Sequence, residues 1–442
     1  MPSEIMATDR LAVVEFQGTQ GQVSSARARD IIGQLDDASH ANDLLVHHLA
    51  FEQVVNATSP LVLGNRLTLL QNGPDTYRAM FAAIRSATSH INLESYIFAD
   101  DEVGMQFADL LIERQTAGIQ VNIIYDSVGG LTTGAAFYDR LRESGIRLLE
   151  FNPINPLDGK GSEWLLNNRD HRRQLVIDGR VAFTGGVNIS ASYASVPFGK
   201  QPRWRTDRSN EPVAGWRDTH LRIEGPVVGE FQKLFLDTWA RQKGEPLADL
   251  DYFPTSEFRG NEIVRVIGST AQDPESLIYL TLVSAIRHAT RTVHLTVAYF
   301  APDPQLIAVL IDAAERGVEV QLVLPSYSDS WPIFNAGRSH YDQLLESGVE
   351  IHERQGAVMH AKTATIDGVW STVGSTNLDW RSYLHNDELN AVILGSDFAA
   401  QMEAMFSEDL AQSEHIVLKQ WRRRSPFLRL KERIARMGSY WL

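Results

Sequence analysis

The chain has 442 residues, 43% of them hydrophobic, a formal charge of −14 and no cysteine. That length can bury two domain-sized cores, and the lack of thiols excludes disulfides and thiolate metal centres. With no basic leader and no run near the roughly 20 apolar residues a spanning helix needs, a soluble or peripheral protein is expected, and the acidic balance argues against nucleic acid as partner.

Residues 1–60 read as a helical N-terminal extension, with helix-like composition at 26–35 and 42–55, capping the side that carries the functional site. His47 and His48 lack any ligand spacing around them, so a structural or solvated role is read there rather than metal binding. From residue 61 the pattern becomes strand, helix, strand: a strand at 91–98, a helix at 105–116, a strand at 117–124 and a helix at 138–145. Each has a counterpart later, at 293–300, 306–315, 316–323 and 341–348, so the chain contains internal repeats. The alternation predicts an α/β fold of two pseudo-repeated α/β/α units, residues 61–250 and 258–412, with mostly parallel central sheets, right-handed crossovers and a site at their interface.

Each repeat carries one copy of a short signature. The first is His171, Arg173, Asp178, Gly185, Gly186 and Asn188; the second, 189 residues on, is His360, Lys362, Asp367, Gly374, Ser375 and Asn377. Six specified positions match by chance at roughly 10⁻⁷ per start, so the duplication is not accidental. Residues 174–177 and 363–366 favour strand, and Asp-Gly followed by a second β-favouring run predicts a hairpin in each copy. Residues two apart on a strand face the same side, so each histidine and its cation meet one ligand. Imidazole exchanges protons near neutral pH and a cation holds phosphate, which points to phosphoryl transfer without a metal. Asp178 and Asp367 join this catalytic set as turn residues that fix geometry. The glycines let backbone approach a ligand, and Asn188 and Asn377 offer donors to phosphate oxygens.

Between the repeated elements the first unit carries about fourteen extra residues in 151–170, a Gly-, Pro- and Asn-rich loop read at the mouth of the site. The loop 193–215 holds Lys200, Arg203, Trp204, Arg205 and Arg208, a candidate headgroup contact as well as an ordinary solvated loop. An acid follows each motif, Asp218 and Glu388, suited to fixing a histidine tautomer. The tail, residues 413–442, is basic: from Ile416 onward eight Lys or Arg face one acid. Phe427, Leu430, Ile434, Met437 and Trp441 step by three and four along one helical face. With Trp421, Arg422, Arg423 and Arg424 they form a candidate contact with an anionic membrane; docking on the protein's own core is the other reading.

The two motifs resemble the HxKxxxxD signature of the phospholipase D superfamily. Residues 216–225, 360–381 and the Trp421-Arg-Arg-Arg run are similar to its bacterial cardiolipin synthase branch, in the type without N-terminal membrane spans, and the resemblance covers residues 64–442. It implies a phosphatidyltransferase that makes cardiolipin from phosphatidylglycerol and a second lipid alcohol, with neither metal nor cofactor. His171 would be the nucleophile that becomes phosphohistidine and His360 the acid and base, with Arg173 and Lys362 neutralising phosphate oxygens. Glu388 would orient His171 and Asp218 would orient His360, each across the pseudo-twofold. Arg173 departs from the lysine usual at that position. Hydrolysis to phosphatidic acid, a phosphodiesterase or nuclease, and a non-catalytic lipid-binding protein are the alternatives. The partners implied are anionic phospholipids and the membrane surface, on the cytoplasmic side of the inner membrane; nucleic acid is not expected, and a homo-oligomer is left open.

Overall fold

The computed structural model describes residues 14–19, 21–24, 39–56, 58–154, 167–194 and 215–438. The expected helix at 26–35, most of the loops 151–170 and 193–215, and Trp441 lie outside the described residues.

The main strands of the first repeat are β1 Leu61–Gln71, β2 His90–Ser95, β3 Gln120–Asp126, β4 Arg147–Phe151, β5 Arg173–Ile177, β6 Val181–Gly185 and β7 Thr219–Glu224. They pair in the order β1-β7-β6-β5-β2-β3-β4. The second repeat has β8 Glu262–Ser269, β9 Thr292–Val297, β10 Glu319–Pro325, β11 Glu350–Arg354, β12 Lys362–Ile366, β13 Trp370–Gly374 and β14 Asn386–Leu394. Their order, β8-β14-β13-β12-β9-β10-β11, is the same topology over again. β1 also pairs with β8, so the two sheets join into one.

Helices account for the parallel part of each sheet. Between β2 and β3 runs the helix Glu102–Thr116, started by the Asp101 carboxylate accepting from the backbone of Val103 and Gly104. Its counterpart Pro304–Glu315 has Asp303 as cap and proline in its first turn. Helical crossovers therefore leave β2-β3-β4 and β9-β10-β11 parallel. Every other pairing among these strands, the motif hairpins β5-β6 and β12-β13 included, is antiparallel, so the sheets are mixed and the expected parallel order is confined to these three-strand halves. Their turns place Asp178 and Gly179 at φ 53° and 61°, and Asp367 and Gly368 at 55° and 68°. Positive φ at both central positions is the type I′ geometry that Asp-Gly favours.

The N-terminal extension is not wholly helical. Phe16–Gly18 and Gly21–Val23 form a small hairpin whose first strand runs parallel to the start of β1, an edge that supplies the pairing so short a strand lacks alone. The helix Ser39–Val55 packs on Leu277–Arg287 of the second repeat, burying Leu45 and Leu49 completely. His48 Nε2 lies 3.0 Å from Asp367 Oδ2, and Trp370 Nε1 donates to Glu52 at 3.1 Å. Because Asp367 sits at the turn, this helix caps the end of the second hairpin away from His360 and not the side that carries the motif histidine. His48 is accordingly a buried structural histidine.

The repeats are held together by a shared apolar cluster that includes Val62, Val176, Leu221, Phe231, Val264, Val373, Leu389 and Phe398. Arg172 crosses the same boundary fully buried, donating to Glu388 O at 3.2 Å, Thr238 Oγ1 at 2.6 Å and Ser269 O at 2.8 Å. Removing one partner from such a network leaves the others buried and unpaired. Arg172→Met is expected to cost about 3–5 kcal/mol of stability, read from the urea midpoint at unchanged slope.

Candidate active site

Backbone pairing across the boundary builds the site. Arg169–Asp170 runs parallel to Asn386–Asp387, and His171 N donates to Asp387 O at 2.9 Å. The pseudo-symmetric pair, Trp216–Arg217 beside Val358–Met359, ends with His360 N donating to Arg217 O at 2.8 Å. Each histidine is thereby set against the segment that carries the other repeat's acid. His171 Nδ1 lies 2.9 and 3.1 Å from the two Glu388 carboxylate oxygens, and His360 Nδ1 lies 2.7 Å from Asp218 Oδ2. All four side chains are buried.

Arg173 occupies the Nε2 edge of the His171 ring, whereas Lys362 Nζ lies beside the His360 ring, 3.1 Å from Nδ1, and donates to His360 O at 2.5 Å. Arg173 Nη2 is 2.8 Å from His171 Nε2, and Lys362 Nζ is 3.2 Å from His360 Nε2. Guanidinium only donates, so His171 Nε2 accepts and its Nδ1–H points to Glu388; ionised Asp218 only accepts, so His360 carries its proton on Nδ1.

Electrostatics ties the four groups into one site. Burial first, then the charges of Arg173 and Lys362, hold His171 well below the ordinary imidazole range. Burial and Lys362 bring His360 to about 3 against the opposing pull of Asp218, with Arg173 contributing from the other repeat. The two acids differ. Burial pushes Glu388 up to about 7, although Ser375 Oγ donates to it at 2.5 Å. Burial also acts to raise Asp218, but the charge and hydrogen bond of His360, with Lys362, hold its carboxyl below the usual range. Asp218 is thus a committed anion, whereas Glu388 sits close to its protonation midpoint at neutral pH.

Lys362 carries a measurable consequence. Burial first, then Arg173, lower it to about 7 against the pull of Asp218, so the empty site holds it only partly charged. An incoming phosphate anion favours the charged form and raises that value, so binding takes up a proton at and above pH 7 and weakens as pH rises. Calorimetry of inorganic phosphate in buffers of different ionisation enthalpy should show the uptake, and Lys362→Met should reduce it.

Asp178 and Asp367 sit as turn residues that fix geometry, while Asn188 and Gly186 have further partners. Asp178 and Asp367 lie in the hairpin turns and are not brought to the histidines. Asp178 accepts from the backbone of Thr88, Ser89 and His90, and Asp367 from Thr290, Arg291 and Thr292, pinning the entry to β2 and β9. Asn188 has protein partners: its amide donates to Tyr193 Oη at 2.6 Å, and its oxygen accepts from Arg173 Nε at 3.1 Å and Ile97 N at 3.2 Å. Its oxygen positions Arg173, and its amide retains a second N–H. Asn377 Oδ1 has no hydrogen-bond partner among the described residues. A Cβ on Gly186 would fall 2.1 Å from Asp218 Oδ1, so this glycine makes room for the carboxylate and not for a ligand. Ser375 at the equivalent position spends its hydroxyl on Glu388.

Aromatic rings complete the walls. Tyr96 lies 5.1 Å from the His171 ring; Tyr193, Trp216 and Tyr299 lie 5.4, 4.7 and 6.0 Å from the His360 ring. None was singled out from sequence. The available signal was a tyrosine just past each of the equivalent strands β2 and β9, at the carboxyl ends where α/β sheets place ligands.

The tail divides in two. Trp421 is buried against Tyr341, ring centroids 4.8 Å apart, and Arg424 covers its face at 4.1 Å while pairing with Asp342 and Glu432. Both are structural anchors and not membrane contacts, and Arg422 pairs with Glu346. Arg423 is exposed. The helix Pro426–Met437 docks through Glu432 and Ala435 and leaves Phe427, Leu430, Ile434 and Met437 at 63, 54, 56 and 86% exposure. Leu428 and Trp331 are further exposed apolar side chains that the periodicity did not pick out. Among the described residues no helix is long and apolar enough to cross a membrane.

Residues 80–196 and 282–410 match the family described as cardiolipin synthase, PLD-like domain, one match in each repeat. The chain belongs to this family. It is 33% identical over 382 residues to a cardiolipin synthase of Geobacillus kaustophilus, covering 86% of this chain and 73% of that one. A probable cardiolipin synthase of Bacillus subtilis is 31% identical over 85% of this chain and 72% of its own length. Among solved structures, the phosphatidylserine synthase of Haemophilus influenzae superposes with a TM-score of 0.65 at 13% identity, over 89% of this chain and 98% of that one. That likeness establishes the two-repeat fold.

Proposed function

We propose that the protein is a phosphatidyltransferase that joins two phosphatidylglycerol molecules into cardiolipin and releases glycerol. The observation that carries the reading is the crosswise pair of histidine–carboxylate couples, His171–Glu388 and His360–Asp218, with a cation beside each imidazole. Arg173 and Lys362 hold the non-bridging oxygens of the lipid phosphodiester and neutralise the charge that spreads over them in the transition state. His171 Nε2 attacks phosphorus, the bond to the glycerol oxygen breaks, and His360 gives that oxygen its proton. The anion in the site raises His360, and Asp218 stabilises the imidazolium it must form. His360, now neutral, takes the proton of the incoming lipid hydroxyl, whose oxygen displaces His171 from phosphorus. No step calls on a metal, so turnover should persist in chelator.

The exposed tail face, with Arg429, Arg433 and Arg436 around it, supports a peripheral seat on an anionic membrane, which we assign to the cytoplasmic face of the cell membrane. Replacing Phe427 and Ile434 by serine should weaken partition onto phosphatidylglycerol vesicles by about 10- to 100-fold in sedimentation, while the body stays folded. Purified protein incubated with phosphatidylglycerol vesicles tests the activity itself. Cardiolipin and free glycerol are expected; phosphatidic acid alone would replace this reading with a hydrolase, and no lipid product would end it.

A further inference from the structure

At the outer edge of the second repeat, Ser413–His415 pairs antiparallel with β11, and the register sets His415 directly opposite His352. Glu350, two residues before His352, shares that face. The imidazoles lie nearly parallel, ring centroids 4.7 Å apart, and one ligand atom from each of the three residues lies within 4.8 Å of the others. His352 Nε2 is closed to solvent with no hydrogen-bond partner, and Glu350 Oε2 is 3.5 Å from it. Gln321 Nε2 donates to Glu350 Oε2 at 2.9 Å and orients the carboxylate. β11 stands three strands away from β12 in the sheet, so this cluster is separate from the catalytic histidines.

We propose that Glu350, His352 and His415 bind a divalent transition-metal ion of the zinc class. Two imidazoles and one carboxylate suit zinc, nickel or copper over magnesium or calcium, which want an all-oxygen shell. Small side-chain rotations bring the donors to the about 2.0–2.2 Å that such bonds require. The ion clamps the three-residue edge strand to β11. From that strand the chain continues through Ile416, whose N–H donates to Ile351 O at 2.8 Å, to buried Trp421 and the amphipathic helix. A strand this short is weakly held by its own ladder, so the clamp fixes the root of the tail.

Full-length protein freed of purification tags and stripped by chelator tests this, titrated with Zn²⁺ by calorimetry and with Co²⁺ by visible absorption. Wild type should bind one equivalent more than His352→Ala or His415→Ala, and Gln321→Ala should weaken that equivalent by about tenfold. Saturating Zn²⁺ should raise the unfolding midpoint of wild type and leave both histidine variants unmoved. Equal midpoints of wild type and variants in chelator show that the variants fold; should a histidine variant unfold, Glu350→Gln takes its place. Equal stoichiometry in wild type and folded variants, or no Zn²⁺ bound by wild type, overturns the assignment.

Discussion

Alanine at His171 or at His360 is expected to lower phosphatidyl transfer by about 10⁴-fold or more, with the double variant scarcely worse than either single one. The two imidazoles serve successive halves of one reaction, so losing either stops the cycle. They should nevertheless fail differently. Without His360 the nucleophile and both cations remain, so a donor with a good leaving group such as p-nitrophenol, which needs no acid, should still load the enzyme. Intact mass spectrometry should then find a phosphatidyl adduct in His360→Ala and none in His171→Ala. An adduct only in His171→Ala would reverse the assigned roles, and one in neither would remove the covalent intermediate.

The second large effect concerns the carboxylates, which should not be equivalent. Asp218 is held ionised beside His360, so Asp218→Asn removes the charge that stabilises the imidazolium and should cost about 10³- to 10⁴-fold in kcat. Burial keeps Glu388 near neutrality at about 7, and Ser375 already bonds it, so Glu388→Gln retains much of the local geometry. Its loss should be nearer about 10- to 100-fold. Glu388→Gln should also flatten the limb of the pH–rate profile near 7, which Asp218→Asn should leave in place. Comparable losses with identical profiles would mean that both acids serve packing alone.

Much of the catalytic constellation was legible because it is written in short spacings. A histidine and a cation two residues apart on a strand share a face whatever the rest of the fold does, and an Asp-Gly pair between β-favouring runs can hardly be other than a turn. The repeated strand and helix runs likewise announced two α/β units of one topology, and the family match and the fold bear that out. Legibility failed where one short spacing served two purposes. Asn188 was read only as a phosphate donor, yet its oxygen also fixes the Arg173 guanidinium. Gly186 was read as room for a ligand, yet the space is filled by Asp218. In the tail, helical periodicity identified the exposed apolar stripe, but Trp421 and Arg424 beside it turned inward to Tyr341, Asp342 and Glu432.

Local pattern alone therefore determined the duplication, the hairpins and the pairing of each histidine with a cation, because these depend on backbone period and on chemistry a few residues apart. Which acid meets which histidine, how far burial lowers Lys362, which end of the second hairpin the N-terminal helix covers and which tail residues stay in water were decided by the tertiary structure. The histidine–acid pairs and the helix cap depend on groups some 140 to 320 residues apart, and the tail anchor Arg424–Asp342 on groups 82 apart. At such separations no sequence period links the partners, and the low dielectric that sets their charge states exists only once the interface has closed.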